Sequence, residues 1–323
     1  MPFSLNEGEK FACIAFAHVG VEPELIEQVP LDLGDDVWVL DRPHFDFPAY
    51  WRGWIGSIKA DRVSDSNLFL LKKKESKTPE VLDHENQELI KEVERIFYGI
   101  VIQGMPQYEA AYRLAGSFSK DKAGLRQFTE VYDHHAYARK TPVSPRTCRI
   151  AKAVASGIRE MLSLTAFLRL QPGFKALIDA TRVRYLEDAV HQFVRAMDAL
   201  IIPRVGSSKR DFAHRCQIFS IANEANRKVL EEIYDIRSNV EHMHEWNGDE
   251  TTEEAMRDEP ILKQRLCQIE SLALAVYLKI MTSSTHRKIF HSNSTIHQFW
   301  ALPDDEKLRV WADSIDLTSI KAN

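Results

Sequence analysis

The chain has 323 residues, of which 44% are hydrophobic and 28% are charged, a composition that excludes a disordered chain and a length that allows two domains. Its formal net charge of −5 excludes a protein that coats nucleic acid through overall charge alone, whereas a local basic site is compatible with that sum.

Residues that favour strands predominate in the first part of the chain. The apolar run Phe11–Val19 and the segment Asp36–Leu40, which follows a Gly-Asp turn, each predict a strand. A third strand is predicted at Ser66–Lys72, and the aromatic segment Arg42–Trp54, with its prolines and glycine, predicts an ordered loop. We therefore expect a small β-containing domain at residues 1–76.

Helical periodicity begins after this region. Apolar residues recur at intervals of three and four in Asn86–Ile102, as on an amphipathic helix, and we interpret Tyr108–Leu114 and Leu125–Tyr132 in the same way. The segment Lys140–Arg146 contains two prolines and interrupts the pattern. We therefore expect a helical connecting region at residues 77–170.

The remainder, residues 171–323, is predicted to be a helical bundle with a C-terminal tail. Arg184–Ile201 and Ala225–Glu245 each carry an apolar stripe at helical spacing, and a third long helix is predicted at Ile261–Met281. This layout is typical of a helical bundle. The predicted fold class of the whole chain is α+β, mostly α.

One short motif in the predicted bundle contains residue types that are common in catalytic and binding sites. The sequence IYDIRSNVEH contains Arg237 and His242 with four residues between them. Upstream, RAMDALIIP places Asp198 in a hydrophobic-acidic-hydrophobic stretch, and the tail contains TIHQFW and LPDDEKLRVWADSIDL. Together these segments resemble the Arg-x4–6-His signature, the preceding helix and the tail of HEPN domains, most closely of the Apea-like branch. The resemblance covers residues 180–315.

The resemblance implies metal-independent cleavage of RNA by a homodimer whose two motifs face each other, an activity of many family members. Histidine titrates near neutral pH, so His242 can move the proton of a ribose 2′-hydroxyl group. Arg237 stays charged and presents a fork matched to phosphate oxygens. In this interpretation Asp198 holds Arg237 in place, and Asn239 or Ser238 orients the scissile group.

The geometry of a single helix favours a dimer. At about 100° per residue, Arg237 and His242 lie about 140° apart, so a straight helix does not direct both to one phosphate. Either the helix distorts before its end, or a second copy of the chain supplies the opposing groups. Glu241, four residues after Arg237, is interpreted as an accessory residue or as the partner of a surface ion pair.

Two alternatives stay open. Ser238 follows the motif arginine directly, where many ribonuclease members carry Asn, Asp or His, and this favours a non-catalytic HEPN module that dimerises and binds RNA or a nucleotide. The other alternative is a structural interaction protein in which Arg237 is only an ion-pair partner. The ribonuclease hypothesis further suggests a toxic effector of stress or phage defence, restrained or triggered by the N-terminal region.

No cofactor or metal is expected. The cluster Asp133, His134 and His135 has no partner at metal-ligand spacing. The four cysteines are far apart and form no CxxC pair, which indicates free thiols. Because the N-terminal sequence lacks the features of a signal peptide and no apolar stretch is long enough to span a bilayer, we expect a cytoplasmic protein.

Overall fold

A computed structural model of the chain describes residues 3–41, 49–104, 108–119, 122–138, 140–163, 165–204, 206–242 and 259–322. Within these ranges it contains thirteen helices and six strands, an α+β fold that is mostly α, as the sequence predicts. The chain divides into two units, one formed by Met1–Asp133 with Thr141–Ala155 and the other by His134–Lys140 with Ser156–Asn323. We call them the sheet unit and the helical unit.

The sheet unit is built on antiparallel strands around a fully buried central strand, β1. Cys13 on β1 pairs with Leu71 on one neighbouring strand and with Leu114 on the other. Because both faces of β1 are covered, its sequence is a continuous apolar run rather than an alternating one. The strands are β1 (Glu9–Ala17), β2 (Leu31–Gly34), β3 (Val37–Leu40), β4 (Leu68–Glu75), β5 (Ala110–Ser119) and β6 (Lys122–Glu130), and their order is β2-β3-β4-β1-β5-β6.

Helix α4 packs on β1, β4 and β5. Asp83 caps its first turn by accepting a hydrogen bond from the backbone N–H of Glu85 at 2.9 Å, while the side chain of Asn86 accepts one from the backbone of Asp83. Phe97 on α4 lies 5.7 Å from Phe16 on β1, measured between ring centroids. The helices that begin in this unit are α1 (Pro23–Gln28), α2 (Ala49–Ile55), α3 (Ser57–Ser64), α4 (His84–Val101) and α5 (Pro145–Ser163).

Two predicted helices are wrong, and both lie within residues 77–170, which the sequence predicts to be a helical connecting region. Tyr108–Leu114 and Leu125–Tyr132 lie largely in β5 and β6, which pair with each other. The sequence pattern of a short apolar segment fits a strand and a helix about equally well. In this protein the segment at β5 forms a strand because it pairs with the buried β1. This pairing also places residues on both sides of the predicted boundary at residue 76 in one sheet. Of the predicted loop Arg42–Trp54, residues 42–48 lie outside the described ranges and the rest belongs to α2.

The helical unit contains the last part of α5 and eight further helices within the described ranges. Helix α7 lies at the centre and packs against α6, α9 and α10 through a buried apolar face. The helices are α6 (Leu170–Ala180), α7 (Leu186–Ile201), α8 (Ser208–Cys216), α9 (Glu224–His242), α10 (Glu259–Thr282), α11 (Ser284–Ile289), α12 (Asn293–Ala301) and α13 (Asp304–Trp311), followed by a 3₁₀ turn at Leu317–Ser319.

Gly173 allows α6 to lie directly on α7 and α10. A Cβ atom at this position would lie 2.2 Å from the hydroxyl of Tyr277 and 2.6 Å from the Cβ of Ala199. The Tyr277 hydroxyl donates a hydrogen bond of 2.7 Å to the carbonyl of Ala196, which ties α10 to α7. The spacing of these three helices therefore depends on the absence of a side chain at residue 173.

Glu270 holds the segment His134–Lys140 against α10. Its buried carboxylate accepts hydrogen bonds from the backbone N–H groups of Tyr137, at 3.0 Å, and Ala138, at 2.5 Å. Burial raises the pKa of Glu270 to about 7, although both hydrogen bonds oppose that rise. In the same segment, His134 Nδ1 lies 2.7 Å from the hydroxyl of Thr181, and burial lowers the pKa of His134 to about 3.

The four cysteines, all within the described ranges, are buried and free. Among the described residues no group of His, Cys, Asp and Glu side chains has the arrangement of a metal site. No helix in this part of the chain combines the length and the apolar composition that crossing a bilayer requires.

Candidate functional site

Helix α9 places Arg237 at the edge of its buried face. Val229, Ile233 and Ile236 are buried at the spacing of an amphipathic helix, and Arg237 follows directly after the last of them. The side chain of Arg237 is only 16% exposed. A guanidinium group at this depth stays charged, and it therefore needs partners that compensate its loss of hydration.

Among the described residues, three side chains contact the guanidinium group of Arg237. Its Nη2 lies 3.7 Å from Oδ2 of Asp198 on α7, and its Nη1 forms an ion pair with Glu241, one turn further along α9. Nη1 also donates a hydrogen bond of 3.4 Å to the hydroxyl of Tyr234, and Cζ lies 5.2 Å from the centroid of that ring. Two carboxylates and an aromatic ring thus fix the orientation of the group.

The Asp198–Arg237 pair is close but incompletely hydrogen-bonded. Burial raises the pKa of Asp198 to about 6, because the charge of Arg237 offsets only part of the lost hydration and Glu241 adds a like charge. Asp198 Oδ1 and Arg237 Nε are both buried, and neither has a hydrogen-bond partner among the described residues. A buried polar atom without a partner needs an explanation, such as a bound water, an ion or a ligand.

A cleft of about 410 Å³ opens beside this pair. Its polar lining consists of three arginines and one carboxylate, and the remainder is apolar or backbone. The lining residues are Leu168, Arg169, Pro172, Gly173, Ala176, Arg195, Asp198, Ala199 and Arg237. A concave surface with a few convergent charged groups is the usual form of a binding site for a small or extended ligand.

The other two arginines of the cleft have different surroundings. Arg169 donates hydrogen bonds of 3.2 Å to the carbonyls of Ala199 and Asp198, so its guanidinium group stabilises the last turn of α7. Arg195 is exposed, and its Nη1 donates a hydrogen bond of 3.4 Å to Gln192. Within the described ranges Arg195 forms no ion pair with a carboxylate. It is therefore a cation available to a ligand.

His191 belongs to the same charged environment. It lies on α7 one turn before Arg195 and is half-buried. Its pKa is lowered first by burial and then by the charge of Arg237, while Glu241 opposes the shift. His191 is therefore largely uncharged at neutral pH, a form that accepts a proton.

The structure thus brings together three of the residues that the sequence singles out: Arg237, Asp198 and Glu241. Ser238 and Asn239 are half-buried on α9, about 100° and 200° around the helix from Arg237. His242 is the last residue of α9, and its side chain lies outside the described part of the chain.

Three members of this environment are absent from the sequence prediction: Arg169, His191 and Arg195. The latter two share a face of α7 with Asp198, since the three residues are separated by four and three positions. This spacing indicates that the three side chains lie on one face of α7. It points to a site only together with the packing of α9 against α7.

A scan against protein-family models found no family that matches this chain, and searches of curated proteins and of solved structures found no significant match either. The chemistry of the cleft therefore rests on its own residues.

Proposed function

We propose that the chain is a metal-independent endoribonuclease of the HEPN type that acts as a homodimer and binds RNA phosphates at the cleft beside Arg237. The observation that carries this proposal is the position of Arg237, which Asp198, Glu241 and Tyr234 hold at a cleft with two further arginines. A fixed guanidinium fork is suited to stabilise the charge that develops on a phosphate during transesterification.

The proposed reaction uses the ribose itself as the nucleophile. His242 accepts the proton of the 2′-hydroxyl group, and the 2′-oxygen attacks the adjacent phosphorus. The bond to the 5′-oxygen then breaks, and the leaving oxygen takes up a proton from the second motif of the dimer. The products are a 2′,3′-cyclic phosphate and a 5′-hydroxyl group. Arg237 stabilises the crowded phosphate, and Asn239 or Ser238 orients the scissile group.

The two carboxylates beside Arg237 have different proposed parts. Glu241 is 41% exposed, so a phosphate can replace it as the partner of Arg237 at little cost in free energy. Asp198 is 17% exposed and approaches from α7, and it keeps the guanidinium group in position while that exchange takes place. Asp198 is therefore a positioning residue.

A cleavage assay with the full-length protein tests the proposal. We expect single-stranded RNA to be cut in the presence of a chelator, to give cyclic-phosphate ends, and DNA of the same sequence to stay intact. Arg237→Ala should lower the rate by at least about a hundredfold, as expected when a donor to the transition state is lost, and His242→Ala should abolish cleavage. Arg309→Gln, which changes an exposed arginine of α13, is the matched control. Cleavage that survives both substitutions at the motif would disprove the assignment.

The occupation of Arg237 by two carboxylates favours one second candidate, a non-catalytic HEPN module that dimerises and binds RNA or a nucleotide. This candidate predicts RNA binding that Arg237→Ala weakens, with no cleavage product at any protein concentration. For the enzyme, we propose a cytoplasmic effector of stress or phage defence, with the sheet unit as its regulatory part.

A further inference from the structure

One part of the cleft lining, which we call the apolar wall, is accessible. Leu168, which precedes α6, is 75% exposed, and Pro172 in the first turn of α6 is also exposed. Gly173 and Ala199 add backbone and a methyl group to the lining. The solvent-exposed side chain of Leu168 lies beside a cluster of arginines. This combination indicates a surface that binds a partly apolar, negatively charged ligand.

Arg195 differs from Arg237 in what it can do for such a ligand. Arg237 is only 16% exposed and already paired, whereas Arg195 is exposed and pairs with no described carboxylate. The two arginines lie on different helices and line the same cleft as Asp198. The cleft therefore offers two cationic groups to a chain that carries phosphates at regular intervals.

We infer that the cleft binds one unstacked nucleotide of single-stranded RNA, with Arg195 on the phosphate next to the scissile one and the base against Leu168 and Pro172. This inference rests on the proposed function and assigns the residues of the same site that hold the neighbouring nucleotide. The volume of about 410 Å³ lies in the lower part of the range of small-ligand sites, about 300–1,000 Å³, which fits one nucleotide rather than a base pair. Bases in a duplex are stacked and cannot enter, so the cleft selects single strands.

The role of Arg195 is tested by binding rather than by cleavage. Full-length protein is titrated into a fluorescently labelled, fully 2′-O-methylated RNA oligonucleotide with a chelator present, and the anisotropy gives Kd. Arg195→Gln should raise Kd about tenfold, as expected for the loss of a charge-assisted hydrogen bond, and should lower the slope of log Kd against log salt by about one. Arg309→Gln is the matched control. Equal Kd values for the two variants would overturn the assignment of Arg195.

The apolar wall is tested with a second ligand. Leu168→Ser should weaken binding of the methylated oligonucleotide and leave binding of an abasic oligonucleotide of the same length unchanged, because only the former has bases to place on the wall. Leu308→Ser, at an exposed leucine of α13, serves as the control. If Leu168→Ser has no effect, or weakens both ligands equally, the base does not lie there.

Failure of this inference and failure of the proposed function can be told apart. The methylated oligonucleotide has no free 2′-hydroxyl group, so its binding does not depend on catalysis. A wild-type protein that binds it through Arg195 but cuts no RNA would disprove the enzyme and leave the nucleotide site standing. Conversely, cleavage that depends on Arg237 but is indifferent to Arg195 would disprove the nucleotide site alone. The thermal midpoint of Arg195→Gln should equal that of the wild type, since the side chain is exposed.

Discussion

Each unit of the protein contains a buried ion pair, and the two pairs are built in opposite ways. In the sheet unit, Lys73 Nζ donates to both oxygens of Glu9, at 2.9 and 3.1 Å, and to the carbonyl of Ser4 at 2.7 Å. The backbone and side chain of Asn6 donate to the same carboxylate at 2.7 and 3.1 Å. Every charged atom of this pair therefore has a hydrogen-bond partner.

In the helical unit, Arg237 and Asp198 approach no closer than 3.7 Å. One buried atom of each lacks a hydrogen-bond partner among the described residues, and the pKa of Asp198 is raised rather than lowered. The charged atoms of the Lys73–Glu9 pair are all hydrogen-bonded within the protein. The Arg237–Asp198 pair, which lines a cleft, has one donor and one acceptor atom without a partner among the described residues. The difference separates a pair whose hydrogen bonds are complete from a pair that has donor and acceptor capacity left among the described residues.

The largest expected effect breaks the saturated pair. Lys73→Met should leave the carboxylate of Glu9 buried without its cation and lower the free energy of unfolding by about 3–5 kcal/mol. Urea denaturation, followed by a signal of the sheet unit, measures the loss. Lys91→Met is the control, because Lys91 and its partner Glu88 are both more than half exposed and should contribute little. Equal effects of the two substitutions would contradict the comparison.

A change of the opposite sign is expected at the second pair. The pKa of Asp198 rises from 3.8 in the unfolded chain to about 6 in the fold, so the folded state binds the proton more tightly and loses stability as the pH rises through this interval. Asp198→Asn mimics the protonated form. It should make the protein more stable than the wild type by about 1–3 kcal/mol at pH 8, with the difference vanishing near pH 4.

Unfolding curves at both pH values check this expectation, and a variant that is less stable than the wild type at pH 8 would show that Asp198 is a structural partner instead. Because Arg237 would lose its positioning carboxylate, the same substitution should also slow RNA cleavage. Stability gained and activity lost in one variant would mark the pair as functional.

The smallest effect is expected at the exposed member of the cluster. Glu241→Gln removes the carboxylate that competes with a phosphate for Arg237, so RNA should bind about twofold more tightly at low salt. Thermal unfolding should change little, since the carboxylate is partly solvated. Weaker binding of RNA to this variant would instead assign Glu241 a direct part in holding the ligand.

Much of the fold could be predicted from the sequence, because most elements are long or strongly apolar. The run around Phe11 and the alternation at Asp36–Leu40 identify β1 and β3, and helical periodicity identifies α4, α7, α9 and α10. The sequence does not predict strands β5 and β6, because the strand form of β5 depends on its pairing with β1, about a hundred residues earlier, and that of β6 depends on its pairing with β5.

The cleft was predictable only in part. The motif and its upstream helix identify Arg237 and Asp198 as candidate site residues. The distance of 3.7 Å between their side chains can be known only from the folded structure. Arg195 carries no motif, and it gains meaning only when α6 and α9 are seen to border the same face of α7. The lack of hydrogen-bond partners at Asp198 Oδ1 and Arg237 Nε and the raised pKa of Asp198 both depend on burial. The burial of an individual side chain cannot be deduced from a sequence motif.

The width of the cleft depends on a lining residue that has no side chain. Gly173 keeps α6 against α7, and the two walls of the cleft belong to these two segments of the chain, with Pro172 on one and Arg195 on the other. A methyl group at residue 173 would move α6, with Arg169 at its start, relative to α7 without any substitution among the arginines of the cleft. The size of the cleft can thus change through backbone spacing alone, without any substitution among its charged residues.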